Sequence, residues 1–405
     1  MDIFVARQPI FNTRKNVYGY ELLFRDGLKN AFPDIDGDVA TLNVLSNTFF
    51  SFELKEILQN RPGFINFTRD LLLKKTPRLF PREHVIIEVL EDIEPEPELI
   101  ETLSELRKTG YRIALDDFLY DEKFNPMIRL SHIIKLDFRT SSENEIQQTI
   151  NSIKGDSPVK FLAEKIETYD EFQYAKELGF QLFQGYFFSK PEVLSKKDIT
   201  SNQVVKLKLI TELQRRDIDL VRIEDLIKKD VGISYKLLKF INSAYFKTYN
   251  PINTIKDAIN YLGIDELKKF ISVIAVSDLN REKPNELIRR SVVRARMCEK
   301  LGTMVRTDFS NDELFTLGLF SFMDALLDHD MEEVLKVIGF SEHLNDALLG
   351  SNRNFNTMLN IINSFEKGEW NKKVLQMISG RTIESKLPMI YFDSIRMANS
   401  CHDST

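Results

Sequence analysis

HVIIEVLEDIEPEPELIETLSELRKTGYRIALDDF, residues 84–118, holds one complete structural unit and decides how the surrounding chain is read. Its two ends, HVIIEVL and RIALDDF, are short runs rich in β-branched residues. Between them, PELIETLSELRKTG sets apolar residues at helical spacing and closes on Gly110, where a helix C-terminus favours glycine. Strand, helix, strand in that order requires a crossover and therefore parallel pairing.

The same alternation extends on both sides. IFVARQPIF, VYGYELLFR, GFINF, HIIKLDF, VKFLAEKIE and FQLFQGYFF read as further strands, and YDEFQYAKELG as another Gly-closed helix. Only NTRKN separates the first two runs, so they read as an antiparallel hairpin. The remaining units suffice for a β/α barrel, giving an α/β first half. Strand signals fade from about residue 195. SKKDITSNQVVKLKLITELQRRDIDL, DLIKKDVGISYKLLKFINSAYF, TIKDAINYLGIDELKKFISVIAV and ELIRRSVVRARMCEKLG read as consecutive bundle helices. The expected domains are residues 1–194, α/β, and 195–405, all-α, joined without a Gly/Ser spacer.

Composition bounds the function. Of 405 residues, 43% are hydrophobic and 29% charged, which excludes wholesale disorder. A net charge of −6 disfavours broad nucleic-acid binding, although local Arg and Lys residues can still hold a small anion. Two cysteines, Cys298 and Cys401, make neither a disulfide framework nor a metal cluster. The N-terminus reads as no secretion signal, and no run approaches the roughly 18 apolar residues of a membrane span. A cytoplasmic protein with no membrane partner is expected.

The acids fall in a pattern. Glu21, Asn66, Glu88, Asp116 and Glu164 each stand at or near the end of a separate expected strand, and Lys135 and Gln184 end two more. In a β/α barrel those ends converge on one mouth. Carboxylates and an amide gathered there form an oxygen-only nest suited to a hard cation, Mg²⁺ or Mn²⁺. Singly, each has a plainer reading: Asp116-Asp117 as a turn, Glu88 as a solvent-facing strand residue, Lys135 as a snorkelling surface lysine.

From Arg7 to Pro191 these motifs, in this order, resemble the EAL phosphodiesterases. RQPI carries Gln8, and ELLFR carries Glu21 and Arg25 where the family has E-A-L-x-R. FINF brings Asn66, IEVLED brings Glu88 and Glu91, and IALDDF brings Asp116 and Asp117. IIKLDF brings Lys135 and Asp137, LAEKIE brings Glu164 and Glu167, and FQGYFF brings Gln184. The resemblance implies a TIM-like barrel that binds cyclic di-GMP with Mg²⁺ or Mn²⁺. Glu21, Asn66, Glu88, Asp116 and Asp117 would be metal ligands, Glu164 the general base, and Lys135 its catalytic partner. Gln8, Arg25, Asp137 and Gln184 would contact the nucleotide, and Glu91 and Glu167 would stabilise loops. The chemistry so implied opens cyclic di-GMP to linear pGpG.

Three departures stand out: Leu22 replaces the family alanine, Lys165 replaces the glycine after the expected base, and LYDEKFNPMIRL (residues 119–130) replaces a Gly- and Ser-rich loop. In a regular strand Leu22 points away from Glu21. The altered loop favours a cyclic di-GMP receptor or scaffold over an active phosphodiesterase, and both readings stay open.

In the second half, KLLKFINSAYF followed by TIKDAINYLG resembles the HDOD domain, a helical relative of HD-type metal phosphohydrolases. GLFSFMDALL places Ser321 and Phe322 where the active relatives carry the ligands His and Asp. Asp328-His329-Asp330 reads as a polar helix end, and Asn242-Ser243 as capping, packing or binding residues. The expected role is contact with an unidentified protein partner, with a homodimer through the barrel as a further implication. Nucleic-acid binding would require Lys228, Lys229, Lys268 and Lys269 to gather on one face.

Overall fold

The structure is a computed structural model that describes residues 4–25, 54–153, 158–190, 231–243, 251–277, 283–305, 307–338, 340–367 and 381–402, together with Glu224, Ile227 and Phe246. The expected joint at residues 194/195, the helix following it, Lys228 and Lys229 lie outside this set. The chain divides into two compact units, Met1–Phe187 with Phe365–Glu369, and Phe188–Ser364 with Trp370–Thr405.

In the first unit eight strands close into a barrel in chain order. They are β1 (Phe4–Asn12), β2 (Val17–Arg25), β3 (Gly63–Phe67), β4 (Val85–Val89), β5 (Arg112–Leu115), β6 (Ile133–Asp137), β7 (Lys160–Glu164) and β8 (Leu182–Gln184). β1 pairs antiparallel with β2 and with β8, and every other neighbouring pair is parallel. The hairpin follows from a link too short for a crossover.

Side chains two apart along a strand face the same way, and this period builds the interior. Ile10, Phe64, Ile86, Ala114, Ile133, Leu162 and Leu182 form one buried apolar layer across the barrel. Two residues onward stand Asn66, Glu88, Asp116, Lys135, Glu164 and Gln184, and Gln8 occupies the same level on the reversed β1. A dry floor thus lies directly beneath a polar layer.

Outside the barrel run α1 (Leu54–Leu58), α2 (Arg69–Leu73), α3 (Pro97–Lys108), α4 (Asn125–Leu130), α5 (Glu143–Ile153) and α6 (Tyr169–Glu177). In α3, Pro97 supplies a preset backbone in the first turn, and Leu99, Leu103 and Leu106 bury one face. Gly110 then ends the segment at φ +99°. Thr68 and Thr168 cap α2 and α6 by accepting backbone N–H groups. Leu22 is fully buried and packs beside Gly63 on the outer face of the strands, away from the polar layer.

The stretch read from sequence as a loop, residues 119–130, contains regular structure. Asp121 caps a 3-10 turn over Glu122–Phe124, and Pro126 starts α4, which buries Met127 and Ile128. The left-handed backbone falls on Asp117, at φ +39°, and not on Leu119 or Tyr120.

The second unit is helical: α7 (Val231–Ile241), α8 (Ile255–Ser277), α9 (Asn285–Gly302), α10 (Asn311–Phe320), α11 (Met323–Leu327), α12 (Met331–Ile338), α13 (Glu342–Leu348), α14 (Arg353–Glu366) and α15 (Arg381–His402). α9 packs against α10 and α15. A Cβ on Gly318 of α10 would stand 2.7 Å from the Ala295 backbone, so glycine permits the close approach of α9 and α10. Ser310 and Glu313 form a reciprocal capping box at the start of α10. Among the described residues, no helix is long and apolar enough to cross a membrane.

Candidate functional site

The polar layer converges on Lys135, which is 1% exposed. Its ammonium lies 2.6 Å from Asp116 Oδ1, 2.6 Å from Glu164 Oε1, 2.7 Å from Glu88 Oε1 and 3.8 Å from Glu21 Oε2. Gln184 donates to Glu21 at 2.6 Å and to Gln8 at 3.0 Å, and Asn66 donates to Glu21 at 3.5 Å. Five strands thus aim side chains at Glu21 and Lys135. The surface-lysine reading of Lys135 and the solvent-facing reading of Glu88 do not hold, because barrel closure turns both inward.

Charge at this mouth is unbalanced. Four nearly dry carboxylates lie within 4 Å of one ammonium. Burial pushes the carboxyls of Glu88 and Glu164 well above the usual range; Lys135 opposes the shift, and neighbouring acids reinforce it. Burial alone would lower Lys135, but Asp116, Glu164, Glu21 and Glu88 override it and hold the ammonium well above its ordinary value.

Oxygen atoms of Asp116, Asp117 and Glu164 lie within 4.8 Å of one another. Buried oxygens beside them, Asn66 Oδ1, Asp117 Oδ1 and Glu88 Oε2, make no hydrogen bond, while the Lys135 ammonium meets Glu88 Oε1 at 2.7 Å. Buried acceptors left in that state are costly. Hard, anionic and unsatisfied, the donor set fits a divalent cation.

Around this centre lie the other expected residues. Asp137 is buried, accepts from the backbone N–H groups of Arg139 and Thr140, and pairs with the Lys165 ammonium. Those bonds hold its carboxyl below the usual range despite burial. The Glu167 side chain lies 3.4 Å from Arg139, which also bonds Glu171 at 3.0 Å, so this group links the segments after β6 and β7. Glu91 is exposed in the turn after β4. Arg25 ends β2, and its side chain lies outside the described set. Arg139 was not singled out from sequence; its cue was a lone cation just after IIKLDF.

Lys165 follows Glu164 in a left-handed conformation, φ +56°. Its ammonium reaches Asp137 and lies 3.7 Å from Asp117 Oδ2. The sequence placed it beside Glu164, whereas the backbone turn carries its tip to the two aspartates.

In the helical unit, Ser321 Oγ accepts from Arg294 at 3.3 Å, and the Arg294 guanidinium lies 3.7 Å from the Phe322 ring centroid. His329 lies 3.2 Å from Glu333 on the following turn. Asn242 clamps a loop: its amide donates to the carbonyls of Leu238 and Ile252 and accepts from Ile252 N–H, each at 2.8 Å. Lys269 is buried and so unavailable to a binding face.

A closed β/α barrel with an acid-lined mouth, followed by a helical unit, defines the class of protein. Residues 37–191 match the EAL domain and residues 200–340 the HDOD domain. ELLFR lies ahead of the matched EAL span. The chain is 36% identical to Cyclic di-GMP phosphodiesterase CdgJ of Vibrio cholerae, over 91% of this chain and 85% of that protein. It is 35% identical to Uncharacterized protein YuxH of Bacillus subtilis, over 91% of this chain and 92% of that one. A c-di-GMP-bound standalone EAL protein from Vibrio cholerae aligns at 26% identity and TM-score 0.35, over 47% of this chain and 92% of the other. The chain belongs to the family that joins an EAL domain to an HDOD domain.

Proposed function

We propose that the barrel is a divalent-cation-dependent cyclic di-GMP phosphodiesterase and that the helical unit couples it to a protein partner. One observation carries this reading: Glu164 and Lys135, an acid–base pair 2.6 Å apart, stand in the same dry mouth as the Asp116–Asp117–Glu164 cation nest. The similarity to a phosphodiesterase along nearly the whole chain supports the choice of substrate.

Asp116, Asp117 and Glu164, with Glu21, Asn66 and Glu88 beside them, would hold Mg²⁺ or Mn²⁺. Such an ion supplies neutralising charge for a phosphodiester and lowers the pKa of water. Glu164, 2.6 Å from the Lys135 ammonium in the dry mouth, takes the proton of the attacking water; burial raises its carboxyl above the usual range and so strengthens it as a base. Lys135 draws Glu88, Asp116 and Glu164 together and keeps a positive charge beside the reacting oxygen. Gln8 and Gln184 offer amides at the rim, with Arg25 as the phosphate contact. Asp137 keeps the β6 end rigid, since its oxygens are taken up by its own chain. Glu167 ties two loops through Arg139, and Glu91 is assigned to the turn after β4. The division at residues 194/195, a cytoplasmic location and dimerisation through the barrel belong to the same proposal.

The test follows pGpG by chromatography after incubating the full chain with cyclic di-GMP and Mn²⁺. Glu164→Gln is expected to lower turnover by about 10²–10⁴-fold, the range for loss of a positioned base. A second reading, a receptor without turnover, is favoured by the Lys165 contact with Asp117. Undetectable pGpG with retained nucleotide binding would select it.

A further inference from the structure

The contact between Lys165 and the cation nest has a consequence for ion uptake. Asp117 offers Oδ1 as a buried acceptor without a hydrogen bond, while its Oδ2 faces the Lys165 ammonium at 3.7 Å. The same ammonium pairs with Asp137, so it bridges the ends of two strands. Nothing in the strand geometry of β7 requires a lysine there. At φ +56° the position suits glycine, and a long side chain is held in a disfavoured backbone region. The side chain is also 52% exposed, so much of its length already lies in water.

Opposing demands therefore meet at Asp117. A divalent ion held by Asp116, Asp117 and Glu164 would sit beside a fixed positive charge, and like charges at such distances repel even in partly solvated surroundings. We propose that Lys165 is a built-in counter-cation that competes with the divalent ion for Asp117, setting the ion concentration at which this site loads. The proposal rests on the divalent-cation reading of the barrel. It goes beyond that reading by making ion affinity depend on a residue that holds no ion itself.

Calorimetric titration of the full chain with Mn²⁺, without nucleotide, tests it. Lys165→Gln keeps the length and removes the charge, and Lys165→Gly also relaxes the backbone. Both are expected to bind Mn²⁺ about 10-fold more tightly than the wild type, while Lys165→Arg binds as the wild type does. The sign separates the proposal from a structural role, because a damaged site would bind more weakly. Asp116→Asn serves as the control that loses the ion. Unchanged or weaker binding by the Gln and Gly variants, with a wild type that binds and a control that does not, overturns the role of Lys165 and leaves the ion site standing. Absence of Mn²⁺ binding in every protein overturns both.

Discussion

Lys135 in the barrel and Lys269 in the helical unit are both buried among acids, and the acids respond in opposite directions. Lys269 lies 2.6 Å from Glu299, 3.1 Å from Glu266 and 3.4 Å from Asp312. Glu299 also receives Arg296 at 2.7 Å, and Glu266 and Asp312 reach solvent. Burial works to raise Glu299, yet Lys269 and Arg296 prevail and hold its carboxyl below the usual range. Around Lys135 the partners Glu88 and Glu164 are dry and pushed upward. A buried ion pair becomes structural when each charge is met. When acids exceed cations in a dry pocket, the fold carries an unmet demand for positive charge, and such pockets mark functional sites.

The largest expected effect comes from deleting each ammonium. Lys135→Met leaves four carboxylates without their cation and should cost about 3–5 kcal/mol of stability, as for broken buried pairs. Millimolar Mn²⁺ should restore much of it by binding the folded state. Lys269→Met leaves Glu299 still paired with Arg296 and should cost about 1–3 kcal/mol, without rescue by Mn²⁺. Hydrogen exchange, read separately in the two units, measures both losses. Equal rescue of the two variants would break the comparison.

A smaller effect should change sign between the units. Glu164→Gln removes one of four carboxylates that share a single ammonium, so the metal-free barrel should gain about 0.5–2 kcal/mol while losing Mn²⁺ affinity, the trade expected where function holds a site in strain. Glu299→Gln removes a satisfied charge and should lose about 1–2 kcal/mol. Destabilisation by both variants in the presence of a chelator would show that the acids of the barrel are already balanced.

This contrast was partly legible in the sequence. Period-two alternation put Asn66, Glu88, Lys135, Glu164 and Gln184 at strand ends, and closure of a barrel carries such residues to one mouth. That Lys135 is the hub was not legible, since its four partners come from four other strands and only closure sets their distances. The tip of Lys165 escaped because a left-handed turn after β7 redirects it. Residues 119–130 looked like a loop because α4 spans six residues, too few to show a period. In the helical unit the spacing predicted helices, but the Lys269–Glu299 pair joins α8 to α9 and leaves no local trace. The structural clamp formed by Asn242 was equally silent, because capping and binding use the same side-chain chemistry.

The most delicate way to sharpen the comparison is pH. A group whose folded pKa is raised stabilises fully below its unfolded value, and that stability is lost as pH rises through the folded value; a depressed group does the reverse. Glu88 and Glu164 belong to the first kind, so in chelator the barrel should weaken as pH climbs from about 4.5, the ordinary glutamate value. Glu299 belongs to the second, so its contribution holds over that span and is lost only as pH falls below it, while Asp324 of α11, raised by burial, adds a loss to the helical unit as pH climbs from about 3.8. Asp137, also depressed, adds an acid-side loss to the barrel, in a window below 3.8 that does not overlap the rise. Hydrogen exchange corrected for its intrinsic pH dependence should therefore show a steeper loss with rising pH in the barrel, where two carboxyls are pushed well above the usual range, than in the helical unit. Added Mn²⁺ should flatten the barrel profile alone, because an ion bound among Asp116, Asp117 and Glu164 supplies positive charge that offsets the burial raising the acids. A barrel profile that stays level in chelator would mean that Lys135 suffices, and with it the physical reason for an ion would go.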